Sequence, residues 1–363
     1  MFSRISLSKE KIHKIIYTLI VGLIGGYLFS ILSLPLSWIL GPMVFTIITN
    51  ITFKEVYLPT NFKLTGFFLL GISMGLYFEP ETGGVIYKQF VFVVLMSILI
   101  LLFGVINGAI HKKLSKLNWQ TTIFGNIPGG TAQMIEVGGD LGGDREAIAI
   151  QQFTRLVLVV MVIPTLITFF FEPSIASTLP SSTSTNFNIY GIVILLFLGV
   201  FGWIVARFLK IPLPTLTGPL IMISTFSLLG VPFASFPPIF LNIAQVFIGI
   251  SIGTYFNRST IRDNRKYFIY ALIGGVTLLA MCFLAAMILI FWANLDYPTA
   301  ILSIAPGGIA EMSLTAAVVG ANVPIVISFQ IFRMFLFITL VPKLIGVIMI
   351  RVEFKKEKIS QQM

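Results

Sequence analysis

Charge, cysteine and histidine are scarce in this chain, and each shortage excludes a class of protein. Only 10% of the 363 residues are charged, whereas a soluble domain has about 25% charged residues, so a soluble globular protein is excluded. The single cysteine, Cys282, rules out an intramolecular disulfide and a cysteine-based metal site. His13 and His111 are the only histidines, and from two scattered histidines we expect no bound metal, no cofactor and no oxygenase centre.

Hydrophobic residues make up 56% of the chain and gather in long runs. The charge-free run 89–110 exceeds the length of about 20 residues that a helix needs to cross a bilayer. In lipid, backbone groups must be satisfied by the protein itself, which favours helices. We therefore predict an all-α polytopic membrane protein whose first partner is the lipid bilayer.

A helix-breaking motif interrupts these apolar runs twice. Pro-Gly-Gly occurs at 128–130 and returns 178 residues later at 306–308. Proline removes a backbone donor and glycine is flexible, so neither motif continues a regular helix. Freed backbone groups at membrane depth are tolerated only where protein or a water-filled cavity surrounds them. The motif therefore predicts a specialised site in the membrane.

Other landmarks keep nearly the same offset, which predicts a tandem duplication. The landmark pairs are Gly22/Gly199, Gly25/Gly202, Gly41-Pro42/Gly218-Pro219, Gln152/Gln330, Arg155/Arg333 and Pro164/Pro342. We predict a first membrane repeat over residues 1–172, a linker over 173–188, a second membrane repeat over 189–351 and a cytoplasmic tail over 352–363.

The distribution of Lys and Arg predicts the orientation, because short cytoplasmic loops carry an excess of both. Basic residues gather at the N-terminus and in 111–116, 257–266 and 351–358, while 294–296 contains none. If each Pro-Gly-Gly motif enters and leaves on one side, this pattern gives about ten transmembrane helices in two inverted five-helix repeats. Both termini are then cytoplasmic. The net charge of +10 reflects this bias, so no direct nucleic acid partner is expected.

We predict a substrate or ion site at the two motifs, each interpreted as a re-entrant or broken helix. Paired breaks in corresponding positions point to a transporter site, and helix N-termini there offer N–H groups to an anion. The alternative is a kink that serves helix packing. No residue is predicted to be catalytic or to bind a metal. The candidate residues are Asn126, Pro128, Gly129, Gly130, Thr131, Gln133, Glu136, Arg155, Ser303, Pro306, Gly307, Gly308, Glu311 and Arg333.

Ionisable residues among these candidates have competing interpretations. Glu311 stands where the first repeat has Gln133, and a carboxylate in an apolar segment often marks a proton or cation path. We expect H+ or Na+ to bind there, with a structural ion pair to Arg155 or Arg333 as the alternative. Each arginine either recognises an anionic substrate through its planar fork or pairs with Glu136 and Glu311.

Glycine pairs elsewhere predict close helix packing. Segments 71–75 and 249–253 match the hydrolase pattern G-x-S-x-G, but that site needs a strand-to-helix turn and a histidine base. Inside apolar runs we interpret them as Gly-x-x-x-Gly packing signatures, so the chain is not expected to be an enzyme. The Gly-Pro pairs at 41–42 and 218–219 are predicted to break their helices.

The Pro-Gly-Gly motifs, the two Gly-Pro pairs and the duplicated plan resemble the AbrB family of bacterial membrane proteins. The resemblance covers about residues 15–350 and implies a multi-pass protein of the bacterial inner membrane with two AbrB duplication domains. Members of that family are labelled regulators of gene expression or ammonia monooxygenases. The shortage of metal ligands argues against the second label, and the short basic loops argue against direct DNA binding.

Together these features favour an ion-coupled secondary transporter of a small, anionic solute. The sequence contains no Walker-type ATP-binding motif, so we expect an ion gradient to drive transport. The alternative is a membrane-embedded sensor that affects gene expression indirectly, which would bind its ligand without moving it across the bilayer. Both functions are compatible with a homo-oligomer.

Overall fold

The computed structural model describes residues 9–115, 117–171 and 189–360, with side chains through Val341. Within these ranges every regular element is a helix, which confirms the predicted all-α class for this part of the chain. The predicted linker 173–188 lies outside the described residues.

The described residues form fifteen helices, and the helices of the first half recur in the second at nearly the same offset as the sequence landmarks. In chain order they are α1 (Lys9–Ile31), α2 (Ser37–Thr52), α3 (Thr60–Gly75), α4 (Thr82–Ser115), α5 (Trp119–Asn126), α6 (Thr131–Asp140), α7 (Arg145–Phe170), α8 (Ile189–Phe208), α9 (Pro214–Leu228), α10 (Pro238–Gly253), α11 (Arg258–Asp263), α12 (Arg265–Ala293), α13 (Tyr297–Ile304), α14 (Ile309–Val319) and α15 (Val323–Ser360).

Six of these helices are long and apolar enough to cross a membrane, namely α1, α4, α7, α8, α12 and α15 up to Val341. These helices are consistent with a membrane protein. The helices α2, α3, α9 and α10 have 15 or 16 residues each, which is shorter than the usual membrane span of about 20 residues.

Two predictions about helix ends are wrong. The Gly-Pro pairs do not break their helices, since α2 continues through Pro42 and α9 through Pro219. Each proline lies inside its helix, where it removes one backbone hydrogen bond while the helix continues beyond it. The predicted loop 111–116 is helical through Ser115, because His111 is only 1% exposed and packs into the protein interior.

Contacts between helices divide the described chain into two bundles, each drawn from both halves. The panel bundle consists of α1–α3 with α8–α10, and the break bundle consists of α4–α7 with α12–α15. The halves exchange partners inside the panel bundle, where α3 packs against α9 and α10 packs against α2. In the break bundle, α4 and α12 pack against each other.

Glycines set the helix spacing inside the panel bundle. A Cβ on Gly41 would collide with the carbonyl group of Gly25, and Gly218 and Gly202 make the same contact between α9 and α8. Gly71 of α3 approaches the backbone of α9 in the same way. These contacts confirm the predicted packing role, because the helices approach too closely for any side chain.

The two largest of three apolar clusters among the described residues hold the bundles. The larger cluster joins them and includes Leu70 of α3, Ile248 of α10 and Met312 of α14, each at most 1% exposed. The smaller lies within the break bundle around Leu278 and Phe329. Against this apolar background, the polar groups at the two Pro-Gly-Gly motifs stand out.

Candidate functional site

The two Pro-Gly-Gly motifs interrupt helices inside the break bundle. Residues 127–130 separate α5 from α6, and residues 305–308 separate α13 from α14. The glycine before each second helix, Gly130 or Gly308, has an extended backbone. Each interruption leaves carbonyl groups at one helix end and N–H groups at the next helix start without helical partners.

Gln152 and Arg155 of α7 bind the free carbonyl groups of the first break. Gln152 Nε2 donates to the carbonyl of Phe124 at 2.6 Å and to that of Ile127 at 2.9 Å. Arg155 Nη1 donates to Ile127 at 3.4 Å, and its Nε donates to the carbonyl of Pro306 in the second break at 3.1 Å. Arg155 Nη2 also donates to Gln152 Oε1 at 2.7 Å, so the two side chains form one clamp that links both breaks.

Gln330 and Arg333 of α15 repeat this arrangement at the second break. Gln330 Nε2 donates to the carbonyl of Leu302 at 2.9 Å and to that of Ala305 at 3.3 Å. Arg333 donates to Ala305 at 2.9 Å, to Gly307 at 3.1 Å and to the side-chain oxygen of Gln330. The second clamp therefore holds its own break and does not reach the first.

These clamps revise the interpretation of the two arginines. Arg155 and Arg333 are 5% and 2% exposed, and neither forms an ion pair with Glu136 or Glu311 in the described structure. The alternative in which the arginines pair with Glu136 and Glu311 is therefore wrong. Carbonyl groups at the ends of α5 and α13 carry partial negative charge, which gives the buried guanidinium groups suitable partners.

A cavity of about 670 Å³ lies between the panel bundle and the break bundle and reaches both breaks. Its panel side includes Lys63 and Phe67 of α3 and Tyr255, which follows α10. Its break side contains most of the predicted site residues, namely Pro128, Gly129, Gly130, Thr131, Gln133, Glu136, Gly307, Gly308, Glu311 and Arg333.

Four predicted site residues lie outside this lining. Pro306 offers its carbonyl group to Arg155, so these two residues act on the backbone of the breaks. Ser303 is 1% exposed, and its hydroxyl group has no hydrogen-bond partner in the described structure. Asn126 is 5% exposed and directs its side chain into a separate polar cluster with His111.

Lys63, Phe153 and Tyr255 line the cavity without having been predicted. The rings of Phe153 and Tyr255 stack with centroids 3.6 Å apart, which joins α7 of one bundle to the end of α10 of the other. Lys63 Nζ lies 5.5 Å from the centroid of the Tyr255 ring. The repeat offers a signal for Tyr255, whose counterpart is Tyr77, but none for Lys63, whose counterpart is Leu241.

Glu311 and Gln133 occupy equivalent places at the starts of α14 and α6. Each is the third residue of its helix, and its side-chain oxygen folds over the preceding Gly308 or Gly130, where a Cβ would collide with it. Glu and Gln at this position can cap free N–H groups of the helix start. Glu311 is 5% exposed and forms no ion pair among the described residues, so the alternative of a pair with either arginine is wrong.

The cavity combines positive helix ends with one buried carboxylate. The N-termini of α6 and α14 line it together with the cationic side chains of Lys63 and Arg333, which favours an anion. Glu311 at the same place favours a proton or a cation. Among the described residues, no group of three or more His, Cys, Asp or Glu side chains is placed to hold a metal ion.

Comparison with known families gives a match that includes both breaks and both clamps. The family model described as "Transition state regulatory protein AbrB" matches residues 38–349. The chain belongs to the AbrB family. The resemblance that the Pro-Gly-Gly motifs indicate is thus confirmed.

Two relatives match this AbrB-family chain over most of their length. The "Uncharacterized protein YhjN" of Bacillus subtilis (strain 168) is 25% identical over 355 residues, which is 92% of each chain. The "Putative regulator AbrB" of Escherichia coli (strain K12) is 26% identical over 314 residues, which is 85% of this chain and 88% of the relative. Neither name specifies a ligand, so the chemistry of the cavity must indicate one.

Proposed function

We propose that this AbrB-family protein is an ion-coupled secondary transporter of a small organic anion and not an enzyme. The observation that carries the proposal is the cavity between two bundles, which ends on both helix breaks. Broken helices between inverted repeats form the substrate sites of many secondary transporters, because helix N-termini and freed carbonyl groups bind solutes and ions. The cavity volume of about 670 Å³ also suits a small molecule.

We infer ten crossings in two inverted five-helix repeats, with the short helices α5–α6 and α13–α14 as re-entrant pairs. The exchange of partners supports this topology, since α3 with α9 and α10 with α2 are one contact made with the halves interchanged. The counterparts α4 and α12 pack on each other, as elements beside a pseudo-two-fold axis do. Crossings shorter than the usual span are accommodated by local thinning of the bilayer.

The cavity opens on the side of the basic loops, which the positive-inside rule assigns to the cytoplasm. Lys63 and Arg145 lie near the starts of α3 and α7, and Tyr255 precedes the basic stretch 257–266. Away from these loops, α14 packs against α3. We interpret the arrangement as inward-open, in the bacterial inner membrane, with both termini in the cytoplasm.

Alternating access follows if the two repeats interchange their roles. In the outward-open arrangement the counterparts of Phe67 and Tyr255, which are Gln245 and Tyr77, would line the cavity instead. The break bundle would carry the solute as it moves against the panel bundle.

Glu311 is proposed to couple the solute to H+ or Na+. Its buried carboxylate has no cationic partner within ion-pair distance in the described residues and lies at a helix start where an anion would bind. A charged carboxylate repels an anionic solute, and a bound proton or Na+ removes the repulsion, so the two ligands favour each other's binding. The equivalent Gln133 is neutral and adds no such requirement.

Uptake into proteoliposomes tests the proposal. Labelled monocarboxylates, dicarboxylates and inorganic anions are offered under an inward gradient of H+ or Na+, and Glu311→Gln is compared with the exposed-carboxylate control Glu10→Gln. We expect gradient-driven uptake of an anion by wild type and control, and about a tenfold loss of gradient dependence in Glu311→Gln. An anion that raises the melting temperature without being taken up would instead favour a membrane sensor that affects gene expression indirectly.

A further inference from the structure

A polar cluster lies behind the first break, and none of its residues lines the cavity. Asn126 Oδ1 accepts a hydrogen bond from Asn107 Nδ2 at 2.8 Å. Asn126 Nδ2 donates to the carbonyl of Thr122 at 2.8 Å and to Gln151 Oε1 at 3.1 Å, and it lies 3.2 Å from His111 Nδ1. Thr277 of α12 donates to Asn107 Oδ1 at 2.6 Å. The four side chains from α4, α5 and α7 are at most 5% exposed, so the cluster is sealed from water.

We assign to His111 the neutral tautomer with its hydrogen on Nε2, in which Nδ1 accepts from the Asn126 amide 3.2 Å away. Nε2 is buried and has no hydrogen-bond partner in the described structure. The ring edge with Nε2 lies against Gly274 of α12, where any Cβ would collide with it. A buried donor without a partner is costly, so packing alone does not explain this histidine.

The second half of the chain shows that the fold does not need a polar cluster here. One repeat further along the chain, the four positions of the cluster on α4, α5 and α7 correspond to Ala285, Leu289, Ile304 and Phe329. All four are buried in the apolar cluster of the break bundle. The same architecture therefore packs with apolar residues, while the first half bears the cost of burying amides and an imidazole.

We propose that His111 is a proton-binding site, separate from the cavity, whose protonation is tied to the first break through Asn126. The proton adds to Nδ1 while Nε2 keeps its hydrogen. The new Nδ1–H then faces the amide donor of Asn126, so the amide must turn to offer Oδ1 and gives up the hydrogen bond from Asn107. Because Asn126 is the last residue of α5, this turn acts directly on the start of the break.

Among the described hydrogen bonds, the imidazole of His111 meets uncharged partners, the side-chain amides of Asn126 and Gln151. α5 contributes no ionisable group. Most of the ionisable groups on the neighbouring helices are cations, which oppose a second positive charge while the helices stay as they are. We therefore expect His111 to take up a proton when the first break rearranges. Ionisable residues on the helices around the cluster include Lys112 and Lys113 on α4, Arg145, Glu146 and Arg155 on α7, Arg265, Lys266, Tyr267, Tyr270 and Cys282 on α12, and Arg333 on α15.

Histidine-selective NMR tests proton binding directly, because the chain has two histidines. In His13→Gln protein labelled with ¹⁵N-histidine, His111 alone gives imidazole signals that report its tautomer and charge. We expect the Nε2–H tautomer at about pH 8 and an imidazolium signal on acidification to about pH 5 in folded protein. An imidazole that stays neutral over this range would overturn the proposal.

Asn126→Asp in the same background tests the link to the break. A carboxylate accepts a hydrogen bond from Nδ1–H and pairs with the imidazolium. The imidazolium of His111 should therefore persist to a pH about one unit higher than in the parent. The exposed control Asn61→Asp should leave the titration unchanged. If Asn126→Asp does not fold, Asn126→Leu replaces it, and there the Nδ1–H tautomer should appear. A titration and tautomer identical to those of the parent would show that Asn126 does not sense His111.

Uptake by His111→Gln separates this inference from the proposed function, on which its role in ion coupling rests. Loss of most of the pH dependence of uptake, with uptake by His13→Gln unchanged, supports the role in coupling. An unchanged pH profile in His111→Gln, together with a normal NMR titration in the parent, overturns it. If wild type takes up no solute, the transporter proposal fails, while the NMR result still decides whether His111 binds a proton.

Discussion

At both helix breaks, a glutamine and an arginine one turn apart on the following long helix hold the freed carbonyl groups. The surroundings of the two breaks differ. Behind the first break lies a polar cluster with His111, and the residue at the third position of α6 is the neutral Gln133. Behind the second break the residues are apolar, and the equivalent position holds Glu311.

The comparison separates what the architecture requires from what one copy adds. A broken helix in lipid must have its carbonyl groups satisfied by the protein, so both copies contain the clamp. Glu311 and His111 each occur in one repeat only. The equivalent positions of the other repeat hold Gln133 and Leu289, so the fold does not require an ionisable residue at either place. The unshared ionisable residues are therefore the ones to which we assign ion chemistry.

The largest effect is expected from removal of a clamp arginine. Arg155→Met removes the donor to the Pro306 carbonyl and the donor to Gln152 Oε1, and at about 1–3 kcal/mol for each buried group the loss of stability is about 2–6 kcal/mol. Because Arg155 reaches both breaks, amide hydrogen exchange should rise at both. In Arg333→Met it should rise at the second break.

Thermal unfolding in detergent and hydrogen-exchange mass spectrometry measure these effects. Arg207→Met, which changes an exposed arginine at the end of α8, should stay within about 0.5 kcal/mol of wild type. If amide hydrogen exchange in Arg155→Met increases at the first break alone, the hydrogen bond from Arg155 to Pro306 does not stabilise the second break.

Glu311→Gln makes the second break resemble the first and should stabilise the protein. The amide needs no counter-ion, so we expect a gain of about 1–3 kcal/mol at neutral pH. The reciprocal change Gln133→Glu should cost a similar amount, because it buries a second carboxylate beside the cavity. Melting temperatures in detergent test both changes, and a less stable Glu311→Gln protein would mean that the carboxylate is already well compensated.

Gly308→Ala and Gly130→Ala sharpen the same contrast with a smaller change. In each protein the new Cβ displaces the flexible oxygen of Glu311 or Gln133, at a cost of about 1 kcal/mol in stability. Only Gly308→Ala moves a charged group, so it alone should alter the H+ or Na+ dependence of uptake. Equal changes in ion dependence for both variants would argue against Glu311 as the coupling group.

The smallest effect is expected at the mouth of the cavity. Phe153→Ala removes the stack with Tyr255 that joins the two bundles, and an aromatic pair contributes about 0.5–1.5 kcal/mol. Solute exchange across the membrane should change by about two- to tenfold. Phe169→Ala, which removes an exposed ring of the same helix, is the control and should exchange solute at the wild-type rate.

The sequence predicts the break bundle better than the panel bundle, for a physical reason. The breaks and their clamps occur in both halves at one offset, so Arg333 and Glu311 are found by comparing the chain with itself. Lys63 and Phe67 correspond to Leu241 and Gln245, and they reach the cavity only because of the way α3 packs across the halves. No local pattern contains that information.

The Gly-Pro pairs show the opposite failure, because their local pattern predicts helix breaks that the structure does not contain. Pro42 and Pro219 each lie next to a glycine, as the prolines of the breaks do, yet α2 and α9 continue through them. A second glycine is missing, and Gly41 and Gly218 serve the close approach of neighbouring helices instead. A single proline costs one backbone hydrogen bond, whereas the two glycines of Pro-Gly-Gly each add an entropic penalty of about 1 kcal/mol to a helix.

The packing of α3 has a consequence for how the protein is made. The main helix contacts of α3, with α8, α9, α10 and α14, are all with the second half. At a synthesis rate of about 5–20 residues per second, a nascent α3 waits on the order of 10 s before α9 and α10 leave the ribosome. During this interval the glycine face of α3 can contact only lipid or the insertion machinery. The first half by itself therefore lacks the packing partners of α3. Coexpressed halves, divided between α7 and α8, should restore each other's stability, whereas either half alone should be degraded.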